Sequence, residues 1–137
     1  MLLIAFLILP ASVAFSAGEG SVQTVFTAGQ AVAGTASTVV SSAIPVSSMK
    51  DGAVWFQLTK GASVGSTIAV DMVMQASYTD TSSTFATAQT LKVSYSAATP
   101  CLVSVTNPNM KFVRFFVQGA VGNATDTTIE MRFFRRE

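Results

Sequence analysis

Seven carboxylates, one cysteine and no histidine are what this chain offers to acid–base or nucleophilic chemistry. The acids that fall near candidate surface elements are Asp71, Asp80 and Asp126. Glycoside hydrolysis needs two carboxylates held across a sugar, and a calcium site needs several oxygen ligands close in space. Asp80 and Asp126 fall in expected loops without the repeated Asp/Asn spacing of calcium loops, so turn-stabilising side-chain hydrogen bonds are the better reading. Cys101 has no second cysteine for a disulfide and no histidine for a zinc site or an activated thiol, and its place in an apolar run predicts a buried small hydrophobe. No phosphate-binding loop or nucleophile elbow is present. Catalysis, a resident cofactor, a metal and a small-molecule substrate are therefore not expected.

Two further features could carry recognition. Trp55, with Tyr78 and Tyr95, has the chemistry of a sugar-stacking platform. Trp55 also has the opposite parity to Val54, Phe56 and Leu58, so it should point away from their core. An outward tryptophan is covered by a loop, buried at an interface, or exposed to a ligand. Phe112 and Phe116 lie off the parity of Val113, Phe115 and Val117, and with Trp55 they suggest an apolar second face used in subunit packing. Asn123-Ala124-Thr125 is a glycosylation tripeptide that matters only on a eukaryotic secretory route.

The elements that would position these residues are strands. Apolar residues alternate with Ser, Thr and Gln in residues 67–75, 91–95, 112–118 and 128–134. Ile68, Val70, Met72 and Met74 form one inward row, and Ile129, Met131 and Phe133 another. Residues 21–27 have strand composition with Val22 and Phe26 on one parity, and residues 28–42 read as a small-residue loop leading into a strand near 38–42. Pro45 marks residues 44–46 as an edge element. Asp51-Gly52 between apolar runs predicts a hairpin turn, followed by a strand over 53–59. Turns are expected around Gly61 and Gly65, over 97–100 and over 119–126. Residues 76–89 read as a polar loop anchored by Tyr78 and Phe85, and 101–106 as a strand ended by Asn107-Pro108-Asn109. Seven or eight short strands at this spacing predict an all-β fold: a single antiparallel β-sandwich or jelly-roll-like domain over residues 19–137.

Residues 1–18 carry no charge. Three readings fit them: a retained apolar arm on a neighbouring subunit or a membrane surface, a secretory signal lacking the usual basic start, or a short transmembrane helix interrupted by Pro10. The whole chain is 50% hydrophobic and 11% charged, against ~25% charged in typical domains. So few charges suit a protein whose surface is covered by other subunits, or a Ser/Thr-coated secreted β-protein. The net charge of +1 creates no field for nucleic acid. Arg132, Arg135 and Arg136, interleaved with Glu130 and Glu137, read as a solvated charged end to the last strand.

Residues 71–90 (DMVMQASYTDTSSTFATAQT), then 111–119 (KFVRFFVQG) and 128–134, form a pattern in which a strand ending in Gln-x-Ser runs into a polar loop. Later a strand with an embedded arginine precedes a final hairpin. This pattern, over about residues 67–134, resembles small β-sandwich virion proteins of bacteriophages, the capsid cement, decoration or minor capsid class. The apolar residues 1–18 depart from that class and point to a virus with an internal membrane or to an exported protein. The resemblance implies a structural virion protein, a homo-oligomer that contacts other copies of itself and a major capsid or lattice protein and stabilises the shell. On that reading the contact residues are Trp55, Phe112, Arg114 and Phe116 with Leu2, Leu3, Phe6 and Leu9 of the arm. The alternatives are an exported bacterial or archaeal filament or surface-layer subunit, and a secreted carbohydrate-binding module using Trp55 and Tyr78.

Overall fold

The computed structural model of the chain describes residues 20–32, 38–60, 70–95, 99–119 and 127–137. Among them lie nine strands and a single 3-10 turn. In chain order they are β1 (Gly20–Ala31), β2 (Thr38–Val40), β3 (Ile44–Pro45), β4 (Asp51–Thr59), β5 (Val70–Ser77), β6 (Ala86–Tyr95), β7 (Cys101–Thr106), β8 (Phe112–Gly119) and β9 (Thr128–Arg136). The 3-10 turn, Ser82–Thr84, lies between β5 and β6. One antiparallel sheet has the order β1-β9-β4-β7 and the second the order β2-β8-β5-β6, with β3 also on β8.

The strand β2 and the strand β3 are two pieces of one edge. Both pair with β8, at Val39↔Val117 and Ile44↔Val113, and Ser41 spans the break. Its N–H donates to the Phe115 carbonyl, and its hydroxyl accepts from the Phe115 N–H, both at 2.9 Å. Counted as one broken strand, they leave eight strands in two four-stranded sheets. Only the β5–β6 hairpin stays within a sheet; β1–β2, β3–β4, β4–β5, β6–β7, β7–β8 and β8–β9 all cross between them. That winding is a jelly roll.

Between the sheets, the alternation seen in the sequence becomes a core. Val54, Phe56, Leu58, Ile129, Met131 and Phe133 of the first sheet face Met72, Met74, Val113, Phe115 and Val117 of the second, all fully buried. Phe115 and Phe133 meet with ring centroids 5.2 Å apart and planes tilted by 59°, a favoured aromatic geometry. Cys101 is a half-buried residue packed against this core.

Several expectations change. Asp51 and Gly52 begin β4, and the preceding turn is at Ser47-Ser48, closed by the Met49 N–H on the Val46 carbonyl at 3.0 Å. A hairpin cannot form there because β3 and β4 belong to different sheets. Val22 and Phe26 do not share a face: a register shift between Thr24 and Phe26 leaves Val22 exposed and Phe26 buried. A bulge inserts a residue and flips the side chains beyond it. A second shift in β1 contains Gly29 at φ +98°, and β1 runs to Ala31 where a loop was expected. Residues 76–89 are not all loop, because β5 runs to Ser77 and β6 starts at Ala86. The charged C-terminal stretch is strand through Arg136, with β9 between β1 and β4, and Arg132, Arg136 and Glu137 are exposed as expected. Arg135 points inward, donating to Ser21 Oγ at 2.7 Å and to the Pro45 carbonyl of the other sheet. The expected turns at 61–65 and 119–126, and Ile68, fall mostly outside the described residues.

Candidate interaction face

Cross-strand register decides which residues meet on the outer side of the first sheet. One row runs Val22, Phe134, Ala53, Ser104 across β1, β9, β4 and β7. The next runs Thr24, Arg132, Trp55, Leu102. Val22, Phe134 and Leu102 are 60%, 38% and 66% exposed, and they account for three of the five exposed large hydrophobics among the described residues. Trp55 is half-buried among them. A shallow cleft of about 270 Å³ is lined by Trp55, Glu130, Arg132 and Phe134. Contiguous exposed apolar surface of this kind marks contact sites.

The charges on the face are internally paired. Arg132 donates to Glu130 Oε1 from Nε at 3.0 Å and from a terminal nitrogen at 2.8 Å. Its guanidinium carbon lies 5.7 Å from the Trp55 ring centroid, within cation–π range. Arg132 thus shares the outer side of the sheet with the Trp55 ring. A partner would meet a tryptophan already oriented and a charge already neutralised.

Phe112, Arg114 and Phe116 do lie together on one side of β8, but that side is the outer face of the second sheet. The expected single face joining them to Trp55 is corrected: the sandwich core separates the two groups. Phe116 pairs with Val40 and Val73, a narrower apolar row, with Val40 42% exposed. Arg114 is engaged within the chain. It donates from Nε to Gln75 Oε1 at 2.7 Å and from a terminal nitrogen to Ser82 Oγ at 3.0 Å, with its guanidinium 4.4 Å from the Phe85 centroid. Ser77 Oγ lies 2.6 Å from Thr84 Oγ1. Gln75, Ser77 and Arg114, prominent in the sequence pattern, therefore clamp the β5–β6 connection onto the sheet. Phe85 is an anchor as expected; Tyr78 is not, being 61% exposed. Truncating Arg114 to Ala should speed proteolytic cleavage within residues 78–85, because its contacts with Ser82 and Phe85 on that connection are lost.

Sequence reading missed Gln89. Its amide nitrogen donates to the Ser104 carbonyl at 2.8 Å, and its amide oxygen accepts from the Thr106 N–H at 3.1 Å. One side-chain amide thereby bonds β7 as a residue of a parallel strand would. It joins β6 to β7 where the two sheets come to their edges, beside a cleft of about 320 Å³ lined by residues including Met74, Ala76 and Met110. Replacing Gln89 by Ala should cost about 1–2 kcal/mol for the two bonds and accelerate hydrogen exchange at the Thr106 amide. An unchanged Thr106 exchange rate would show that the amide does not close this edge.

Asp71 and Asp80 are both exposed, on β5 and in the β5–β6 connection. No cluster of three or more His, Cys, Asp or Glu side chains occurs among the described residues, and none of their helices is long and apolar enough to cross a membrane. Asp126, the glycosylation tripeptide and the arm residues Leu2, Leu3, Phe6 and Leu9 lie outside the described residues. No protein-family model, curated protein or solved structure matches this chain.

Proposed function

We propose that this protein is a structural virion subunit, capsid-associated, which stabilises a shell through contacts with copies of itself and with a lattice protein. The observation that carries this reading is the apolar patch made by Val22 and Phe134 in one cross-strand row and the half-buried Trp55 with Leu102 in the next, on the outer side of a jelly-roll sheet. Jelly rolls serve as viral capsid and lectin domains. A rigid sheet presenting aromatic and aliphatic side chains, with its charges neutralised in place, has the composition of an interface centre. Burial of that surface on assembly stabilises the assembled state by mass action, because only the shell offers the complementary surface. Catalysis and small-molecule turnover have no part in it.

The carbohydrate-module reading is less favoured, since Arg132 approaches the Trp55 ring to 5.7 Å from its centroid. The filament or surface-layer reading, in which residues 1–18 are cleaved or donated as a strand and the sandwich polymerises, could use the same face.

Sedimentation velocity and cryo-electron microscopy of the full chain provide the test. The expected result is a symmetric oligomer or ordered lattice with the Trp55 face at a subunit boundary. The Leu102→Asp and Phe134→Asp variants should dissociate it while the monomer still folds, with the smaller stability loss, under about 1 kcal/mol, at the more exposed Leu102. A chain that stays monomeric at all concentrations, alone and with its source particles, would overturn the reading.

A further inference from the structure

A sheet ends in a row of backbone groups, and the edges of this sandwich differ in how that row is protected. The strand β1 is interrupted by register shifts against β9. The strands β2 and β3 form a broken edge that carries Pro45. The strand β6 meets β5 through repeated register shifts and contains Lys92. The strand β7 has none of these devices. Its 6 residues pair with β4 without a shift and contain no charge and no proline. Leu102 stands on it and, at 66%, is the most exposed large hydrophobic among the described residues. A straight, uncharged edge of this kind is a template for another strand.

The bonds made by Gln89 show which groups that edge offers. Gln89 engages the Ser104 carbonyl and the Thr106 N–H, so the backbone groups of these residues point away from β4. Alternate residues of an antiparallel ladder share this direction, which puts the Leu102 N–H and C=O on the edge too. Gln89 therefore closes the C-terminal half of β7 and leaves the Leu102 pair and the Ser104 N–H to a partner.

We propose that this open half takes β7 of a second copy, antiparallel, across a two-fold axis that passes between the two Leu102 residues. The proposal rests on the reading above that copies contact one another, and names the edge through which they do so. In that register the two Leu102 residues exchange both N–H···O bonds, with Cα atoms about 5.5 Å apart. Ser104 stands opposite the second copy's Pro100, and its N–H donates to the Pro100 carbonyl. Proline has no N–H to return, and the Ser104 carbonyl already accepts from Gln89. Donors and acceptors therefore match, whereas a slide toward Thr106 would displace Gln89 from the Thr106 N–H. The outer row then runs from Trp55 and Leu102 straight into Leu102 and Trp55 of the second copy. The Arg132–Glu130 pair lies on β9, two strands from the seam, and keeps its solvent.

The Ser104→Pro variant tests this without touching Leu102, Trp55 or Phe134. It removes an N–H that faces out of the sheet, a place where an edge strand tolerates proline. In sedimentation velocity of the purified full chain, self-association should weaken at least about tenfold while strand content by circular dichroism is kept. Hydrogen exchange on the unsubstituted chain reads the same contact and needs no variant to fold. The Leu102 and Ser104 amides should exchange about a hundredfold more slowly in the assembled chain than in the dilute monomer. Fast exchange at both amides in the assembled chain would overturn the inference. If Phe134→Asp still dissociates that assembly, copies meet through the outer face alone and the virion reading survives. A chain that is monomeric at all concentrations, alone and with its source particles, sinks both. Protection that appears only when source particles are added would give the edge to another protein's strand, against a second copy.

Discussion

Replacing Phe115 by alanine should destabilise the fold by about 3–5 kcal/mol, the cost typical of deleting a buried aromatic ring. Phe115 is fully buried and stands in the inward row of β8, paired with Met74 on β5. Its ring meets Phe133 of the opposite sheet at 5.2 Å. Truncation therefore opens a cavity between the two sheets, which their hydrogen-bonded ladders prevent from collapsing. Since domains of this size hold only about 5–15 kcal/mol in total, the variant should be marginal. In urea its midpoint should fall while the slope stays constant, the signature of lost stability without a change in surface exposed. A loss below about 1 kcal/mol would mean that the sheets do not depend on this contact, against the usual cost of a core cavity.

Adding one methyl group at Gly52 should be nearly as damaging. A Cβ built there would lie 2.5 Å from the Phe134 carbonyl oxygen and 3.1 Å from Phe133 Cε2. The oxygen is backbone of β9, and moving it breaks the β4–β9 ladder in which Gly52 faces Arg135. Gly52→Ala is therefore expected to cost about 3 kcal/mol, at the upper end for overpacking, and to lower the melting temperature by roughly 10 °C. Thermal unfolding followed by circular dichroism checks this. A melting temperature within a degree or two of the parent would show that the two strands can separate locally at no cost. A hairpin glycine would behave differently, because there the side chain would point into solvent.

These two substitutions contrast with Leu102→Asp and Phe134→Asp. The first pair acts on the packed interior, so folding and assembly fail together. On the proposed reading the second pair acts on side chains at the subunit contact, so assembly should fail while the monomer still folds. Measured side by side, the four variants separate a structural role from an interaction role.

The sequence by itself determined the class of fold and much of its core, because a period of two is a local property of the chain. Val54, Phe56 and Leu58, the row Val70, Met72 and Met74, and Ile129, Met131 and Phe133 are inward as their spacing requires. It also put Trp55, Phe112, Arg114 and Phe116 on outward positions. What parity cannot say is which sheet a strand joins or which residue stands opposite. Trp55 acquires Arg132 and Leu102 as neighbours only through the pairing of β4 with β9 and β7, strands that follow it by some fifty to eighty residues. Val22 was assigned to the wrong side because a bulge in β1 resets the parity, and nothing local announces an inserted residue. Asp51-Gly52 has turn chemistry, yet tertiary structure uses the glycine for close approach to β9. Gln89 was invisible for the same reason: an amide becomes part of a sheet edge only when another strand's Ser104 and Thr106 are brought to it. Local alternation wrote the strands; long-range register made the face.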